Sequence, residues 1–197
     1  QAIKLDPEYL DAYYNRGTVL NAMEQYSLAI NDFNKVIELD PNDIDGYFMR
    51  AITYRNSEDY SNAIKDFSKC IEMDSTAAYI YYHRAIAYRF SKDFDNALND
   101  LNKAIDLYPD YYLAYNMLGN IYFDQEQYDV ALNYYQKAIE LNPDYVVAYY
   151  NVANIYYEQG NYSAAKNYFN KIVILDPNGP YGNEATKVLN NLKNMGY

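Results

Sequence analysis

The side chains best able to do covalent chemistry are scarce in this chain. His83 is its only histidine and Cys70 its only cysteine, so a thiol nucleophile would have a single imidazole available to activate it. Cys70 stands 34 residues before Ala104, in a slot that calls for a small packed side chain, which favours a structural thiol over a reactive one. The stretch from Asp43 to Tyr47, DIDGY, has a faint look of a calcium loop. With Gly46 at the turn, however, the first ligand position falls on Pro41 and the last on Ile52, which removes two oxygens. Asn161-Tyr162-Ser163 fits the short glycosylation sequon but lies in a polar turn. No spacing suits a metal cluster or a phosphate loop, so no catalytic residue, metal or cofactor is expected.

Charged residues show a clearer pattern. Arg16 with Asp32, Arg50 with Asp66 and Arg84 with Asp100 recur at one separation, and further along both members change together, to Leu118 with Tyr134 and Val152 with Tyr168. The joint switch predicts an ion pair between facing helices in the first set and an apolar contact in the second. Such a pair sets geometry or stability; it is not a ligand site.

Sixteen Lys and Arg against 27 Asp and Glu give a net charge of −11, the wrong sign for gripping a phosphate backbone, so nucleic acid is not an expected partner. Apolar runs are short and the mean hydropathy is −0.51, which argues against membrane insertion. No signal-peptide pattern is visible. One cysteine cannot close an internal disulfide, which fits a reducing compartment, and a cytoplasmic location is the expectation. The 28 tyrosines and the many asparagines fall in register with the pattern below, as a compositional bias acting on a folded template.

A repeat positions these residues. Lys35, Lys69, Lys103, Lys137 and Lys171 open five similar phrases spaced 34 residues apart without insertion, and a fixed period of this length points to stacked units rather than one central core. Counting from Leu10, position 4 is Tyr13, Tyr47, Tyr81, Tyr115 and Tyr149, and position 8 is Gly17, Ala51, Ala85, Gly119 and Ala153. Their spacing places them on one face of a first helix, A. Ala29, Ala63, Ala97, Ala131 and Ala165 at position 20, with Phe33, Phe67, Leu101, Tyr135 and Phe169 at position 24, mark a second helix, B. Small residues at 8 and 20 let the two backbones approach, and large ones at 4, 11, 17 and 24 fill the grooves around them. Prolines at 41, 109, 143 and 177 stop helix B; Ser75 takes that slot once and is expected to cap the next helix.

In-phase small residues at 8 and 20, aromatics at 4, 11, 17 and 24, and proline at 32 of a 34-residue unit resemble the tetratricopeptide repeat (TPR). Tyr in place of the frequent Trp at position 4, and Val36 and Ile172 at position 27, are mild departures. The resemblance implies an all-α fold, a right-handed superhelical solenoid of antiparallel helix pairs. Residues 1–9 would be the end of a preceding unit, followed by units at 10–43, 44–77, 78–111, 112–145 and 146–179. A C-terminal capping helix over 180–197 would bury Val188, Leu189, Leu192 and Met195. An opening inside helix B reads as a fragment of a longer array.

The same resemblance implies that positions 2, 5, 6, 9, 12 and 13 of helix A line a concave groove. The candidate peptide-binding residues there are Tyr14, Asn15, Phe48, Met49, Arg55, Tyr82, His83, Arg89, Asn116, Asn120, Tyr150, Asn151 and Asn154. Asparagine offers donor and acceptor to a peptide backbone, and aromatic faces supply contact area at low entropic cost. A chaperone-tail clamp as in some family members is disfavoured: Asn120 and Asn151 fill its two asparagine slots, but Asn116 stands where its first lysine belongs. An asparagine ladder at position 6 is broken by Met49, His83 and Met117. The expected function is a non-catalytic scaffold that binds a protein or peptide partner of unknown identity in the groove. The alternatives are a self-assembling array, a homo-oligomer through exposed repeat edges, and the targeting part of a larger enzyme.

Overall fold

The computed structural model describes residues 6–197, so the expected end of a preceding unit at 1–9 lies partly outside the described residues. Eleven α-helices and no strand occur among them. They are α1 Leu10–Ala22, α2 Tyr26–Leu39, α3 Ile44–Asn56, α4 Tyr60–Met73, α5 Ala78–Phe90 and α6 Phe94–Leu107, then α7 Tyr112–Asp124, α8 Tyr128–Leu141, α9 Val146–Glu158, α10 Tyr162–Leu175 and α11 Pro180–Asn194. The chain divides into two compact units, one ending at Pro109 and one beginning at Asp110. None of the described helices is long and apolar enough to cross a membrane.

In the first unit, α1 packs on α2, α3 on α4 and α5 on α6, while α2–α3 and α4–α5 contacts join successive pairs. Ala29, Phe33, Ala63, Phe67, Ala97 and Leu101 are wholly buried, which is the small-large alternation of the B helices put to work. The ring of Phe33 explains Gly17: a Cβ there would come within 2.9 Å of it. Each turn from A to B helix carries one residue with positive φ, at Glu24, Glu58 and Lys92. The side chains of Asp59 and Asp93 accept from the backbone N–H of Asn62 and Asn96, capping α4 and α6.

The expected ion pairs form. Arg16, Arg50 and Arg84 each reach the buried Asp32, Asp66 or Asp100 through two parallel bonds of 2.5–2.8 Å. Each guanidinium also lies over the position-4 ring, Tyr13, Tyr47 or Tyr81, at 5.7, 5.4 and 5.8 Å. Ser75, by contrast, does not cap α5. Asp74 turns inward on the loop instead, accepting from the Thr76 N–H and hydroxyl, and α5 starts at Ala78 with Ala77 as an N-cap that forms no side-chain bond. The Tyr81 hydroxyl donates to the Ser75 carbonyl, so tyrosine at position 4 ties helix A to the preceding turn.

In the second unit α7–α8, α9–α10 and α10–α11 pack in succession, with α8 against α9. The ion pairs are replaced by rings: Tyr134 stacks on Tyr122 at 5.3 Å and Tyr168 on Tyr156 at 5.8 Å, while Leu118 and Val152 are buried. Gly119 meets the same demand as Gly17, here from the ring of Tyr135. Gly160 and Glu126 hold the positive-φ turn positions. The Asn161 side chain caps α10 by accepting from Ala164 N–H, a structural use for the sequon asparagine. At the end of the chain, Asp176 accepts from the backbone N–H of Tyr181 and Gly182, which fixes the entry of α11. Ala185 and Leu192 are buried, and Val188 and Leu189 pack against the Ala165–Phe169 cluster. Met195, expected on that apolar face, lies past the helix end and is 53% exposed.

Candidate protein-interaction face

The A helices present the candidate residues in two groups, one per unit. In the first, α3 approaches both α1 and α5, and side chains of successive A helices meet side by side. Phe48 on α3 stands edge-on to Tyr79 and His83 of α5, with centroids 5.2 and 5.3 Å apart, and Phe67 closes the cluster from behind. Tyr82 lies edge-on to His83 at 5.2 Å. Arg55, at the far end of α3, donates through Nη1 to His83 Nδ1 at 3.0 Å and through Nη2 to Asn56 Oδ1 at 3.3 Å.

A guanidinium only donates, so Nδ1 of His83 accepts and the imidazole is neutral with its proton on Nε2. Burial among the rings pushes the His83 pKa down to about 4, and the Arg55 cation adds to the shift. Burial also lowers Arg55 from its usual range, opposed only by Tyr82. Asn56 in turn donates to Asn21 Oδ1 at 3.2 Å, so the rim of this group is a chain of amides. Tyr14, half-buried, stands edge-on to Phe33 at 6.0 Å, and its pKa is raised by burial and then by Asp45 and Asp43. Asn15 is exposed, Met49 and Arg89 are half-buried, and the Arg89 guanidinium lies 5.4 Å from the Phe90 ring.

In the second unit the amides bond to one another. Asn151 Nδ2 on α9 donates to Asn116 Oδ1 at 3.1 Å and Asn120 Oδ1 at 3.2 Å on α7, and the Tyr135 hydroxyl donates to Asn120 Oδ1 at 2.9 Å. Asn116 is only 4% exposed, so its role is to hold the network. Tyr150 stands edge-on to Tyr181 of α11 at 5.2 Å, and Asn154 is half-buried. The structure therefore brings together Phe48, Arg55, Tyr82 and His83 in one group and Asn116, Asn120 and Asn151 in the other. Tyr14, Asn15, Met49, Tyr150 and Asn154 join neither group. Tyr79, Asn56 and Tyr135 belong to the groups and are not among the candidate groove residues. Tyr79 at position 2 and Asn56 at position 13 occupy slots the resemblance marks as groove-facing, which was the available signal.

Cys70 is wholly buried with Sγ 3.6 Å from the Ile44 carbonyl, and burial pushes its thiol up to about 12. Among the described residues, no three His, Cys, Asp or Glu side chains gather to hold a metal ion.

Profiles of the tetratricopeptide repeat match residues 10–43, 78–111 and 146–178, a second profile of that description matches 33–65, and one described as TPR repeat matches 119–160. Among solved structures, MamA is similar at 27% identity over 82% of this chain and 94% of its own, with a TM-score of 0.68. YrrB, described as a TPR protein with an unusual peptide-binding site, is 22% identical over 94% of this chain and 96% of its own, with a TM-score of 0.60. The Pseudomonas aeruginosa protein pilF is 20% identical over 93% and 86%, with a TM-score of 0.74. A search of curated proteins found no match.

Proposed function

This chain belongs to the tetratricopeptide repeat family, and on that premise we propose that it is a non-catalytic scaffold that holds a peptide segment of a partner protein against its A helices. The family and its structural neighbours make a protein-interaction scaffold the general reading. The observation that supports peptide capture is the side-by-side contact of residues on successive A helices, Phe48 with His83 and Asn120 with Asn151. Side chains from successive helices form one surface in each unit, mixing aromatic faces with amides, the two chemistries that grip a peptide's side chains and backbone.

The test is selection of displayed random peptides by the purified protein, in parallel with a Tyr82→Ala, Asn154→Ala variant whose circular dichroism matches the parent. A shared sequence pattern that binds the parent and loses affinity with the variant supports the reading. Absence of any enriched pattern, or binding indifferent to both changes, overturns it and turns attention to assembly through the exposed Val19, Met23 and Leu28.

A further inference from the structure

Among the arginines on the A helices of the first unit, Arg55 differs in kind from Arg16, Arg50 and Arg84. Arg16, Arg50 and Arg84 are each matched by a buried aspartate. Arg55 donates to His83, whose ring lies against Phe48 and Tyr82, and its acceptors are a neutral imidazole and an amide. Among the described residues no carboxylate stands within ion-pair distance of it. A half-buried cation served only by neutral acceptors has lost hydration without gaining a counter-charge, and a guanidinium in that state pairs most strongly with a carboxylate.

We propose that Arg55 is a carboxylate subsite, taking an Asp or Glu side chain of the bound peptide while Phe48, Tyr79 and Tyr82 contact the residue beside it. The proposal deepens the peptide-binding reading and rests on it. The net charge of −11 does not oppose the pairing at contact range, because at physiological salt charges beyond about 8 Å are largely screened. His83 sharpens the preference. Its Nδ1 is occupied by Arg55, so the imidazole orients the guanidinium without cancelling its charge. This subsite is separate from the Asn120–Asn151 pair, where the amides bond to each other.

The experiment uses the full chain and a displayed peptide library with every C-terminus fused to its carrier, so that the acidic groups on offer are side chains. The expected result is a set of binders with Asp or Glu at one fixed position. Replacing that residue by its amide weakens binding about tenfold or more; Arg55→Gln does the same, and the two changes together cost no more than either alone. Arg55→Lys, which keeps the charge, retains more affinity than Arg55→Gln. The single imidazole signal in the NMR spectrum is expected to move on adding the acidic peptide and to move less with its amide counterpart. Binders with no fixed acid, or with an acid whose amide counterpart binds equally well to the parent, overturn the subsite. So does an Arg55→Gln variant that keeps full affinity. If Tyr82→Ala, Asn154→Ala still abolishes binding in those cases, the peptide-binding reading stands without the subsite. A library that yields no binder overturns both.

Discussion

Lowering the pH should destabilise this protein through His83 in a window that its surroundings define. The imidazole is half-buried against Phe48, Phe67 and Tyr82, with Arg55 Nη1 3.0 Å from its Nδ1. Protonating it would place two cations in contact and remove the acceptor that Arg55 uses. Its pKa falls from 6.5 to about 4, first because of burial and then because of Arg55. The unfolded chain therefore binds the proton more readily than the folded one. The His83 contribution to stability is complete above pH 6.5, is lost progressively as pH falls toward 4, and changes no further below that. At roughly 1.4 kcal/mol per unit, the loss is about 3 kcal/mol. Stability also varies with pH through groups other than His83, so the measurement is a difference. Urea unfolding of the parent and of His83→Gln, whose amide oxygen can still accept from Arg55, is followed between pH 7.5 and 4. The parent should lose about 3 kcal/mol more than the variant, and NMR titration of the lone imidazole should show a midpoint well below 6. Parallel stability curves, or a midpoint near 6.5, would refute the reasoning.

Arg50→Ala leaves Asp66, 7% exposed, buried without its counter-charge, and should cost about 3 kcal/mol in denaturant unfolding; a variant that melts no earlier than the parent would count against the pairing. The double change Arg50→Leu, Asp66→Tyr, which imports the pair found at Leu118 and Tyr134, should stay within about 1 kcal/mol of the parent. Glu58 holds φ at 63° in a turn where Gly160 holds 72°, so Glu58→Gly should stabilise by roughly 0.5 kcal/mol and Gly160→Ala should destabilise by about 1 kcal/mol. The Cys70 thiol, pushed up to about 12 by burial, should resist alkylation at pH 8 in the folded protein and react at once in denaturant; rapid labelling under native conditions would show that its core opens.

The helix pairs were legible because each is specified locally: a small residue at positions 8 and 20 and a large ring at 24 are enough to set an A–B contact, and the unit repeats that instruction. The Arg–Asp pairs were legible for a different reason, since two positions that switch together within one chain reveal that they touch. Other features depended on geometry the repeat does not encode. Nothing in the pattern says that Tyr134 and Tyr168 would stack on the position-11 tyrosines, or that the position-4 hydroxyls of Tyr81 and Tyr149 would donate to the preceding turn. Ser75 had the right side chain for a cap but lies two residues before the Ala77 N-cap, in the loop that Asp74 closes with Thr76. In the candidate face, single positions were named from the resemblance, whereas their meaning came from partners on neighbouring helices. Asn116, Asn120 and Asn151 look like three free amides in sequence and form one bonded set in space. His83 looks titratable near neutrality until burial from α3, α4 and α5 is summed.

The central claim is that the A-helix face holds a partner's peptide. Its most direct test is the crystal structure of the chain with a selected peptide bound. The account predicts the peptide in contact with the A helices, touching Phe48 and Tyr82 in the first unit or Asn151 and Asn154 in the second. A peptide seated on the B helices or on the inter-helix turns, with those side chains untouched, would contradict it.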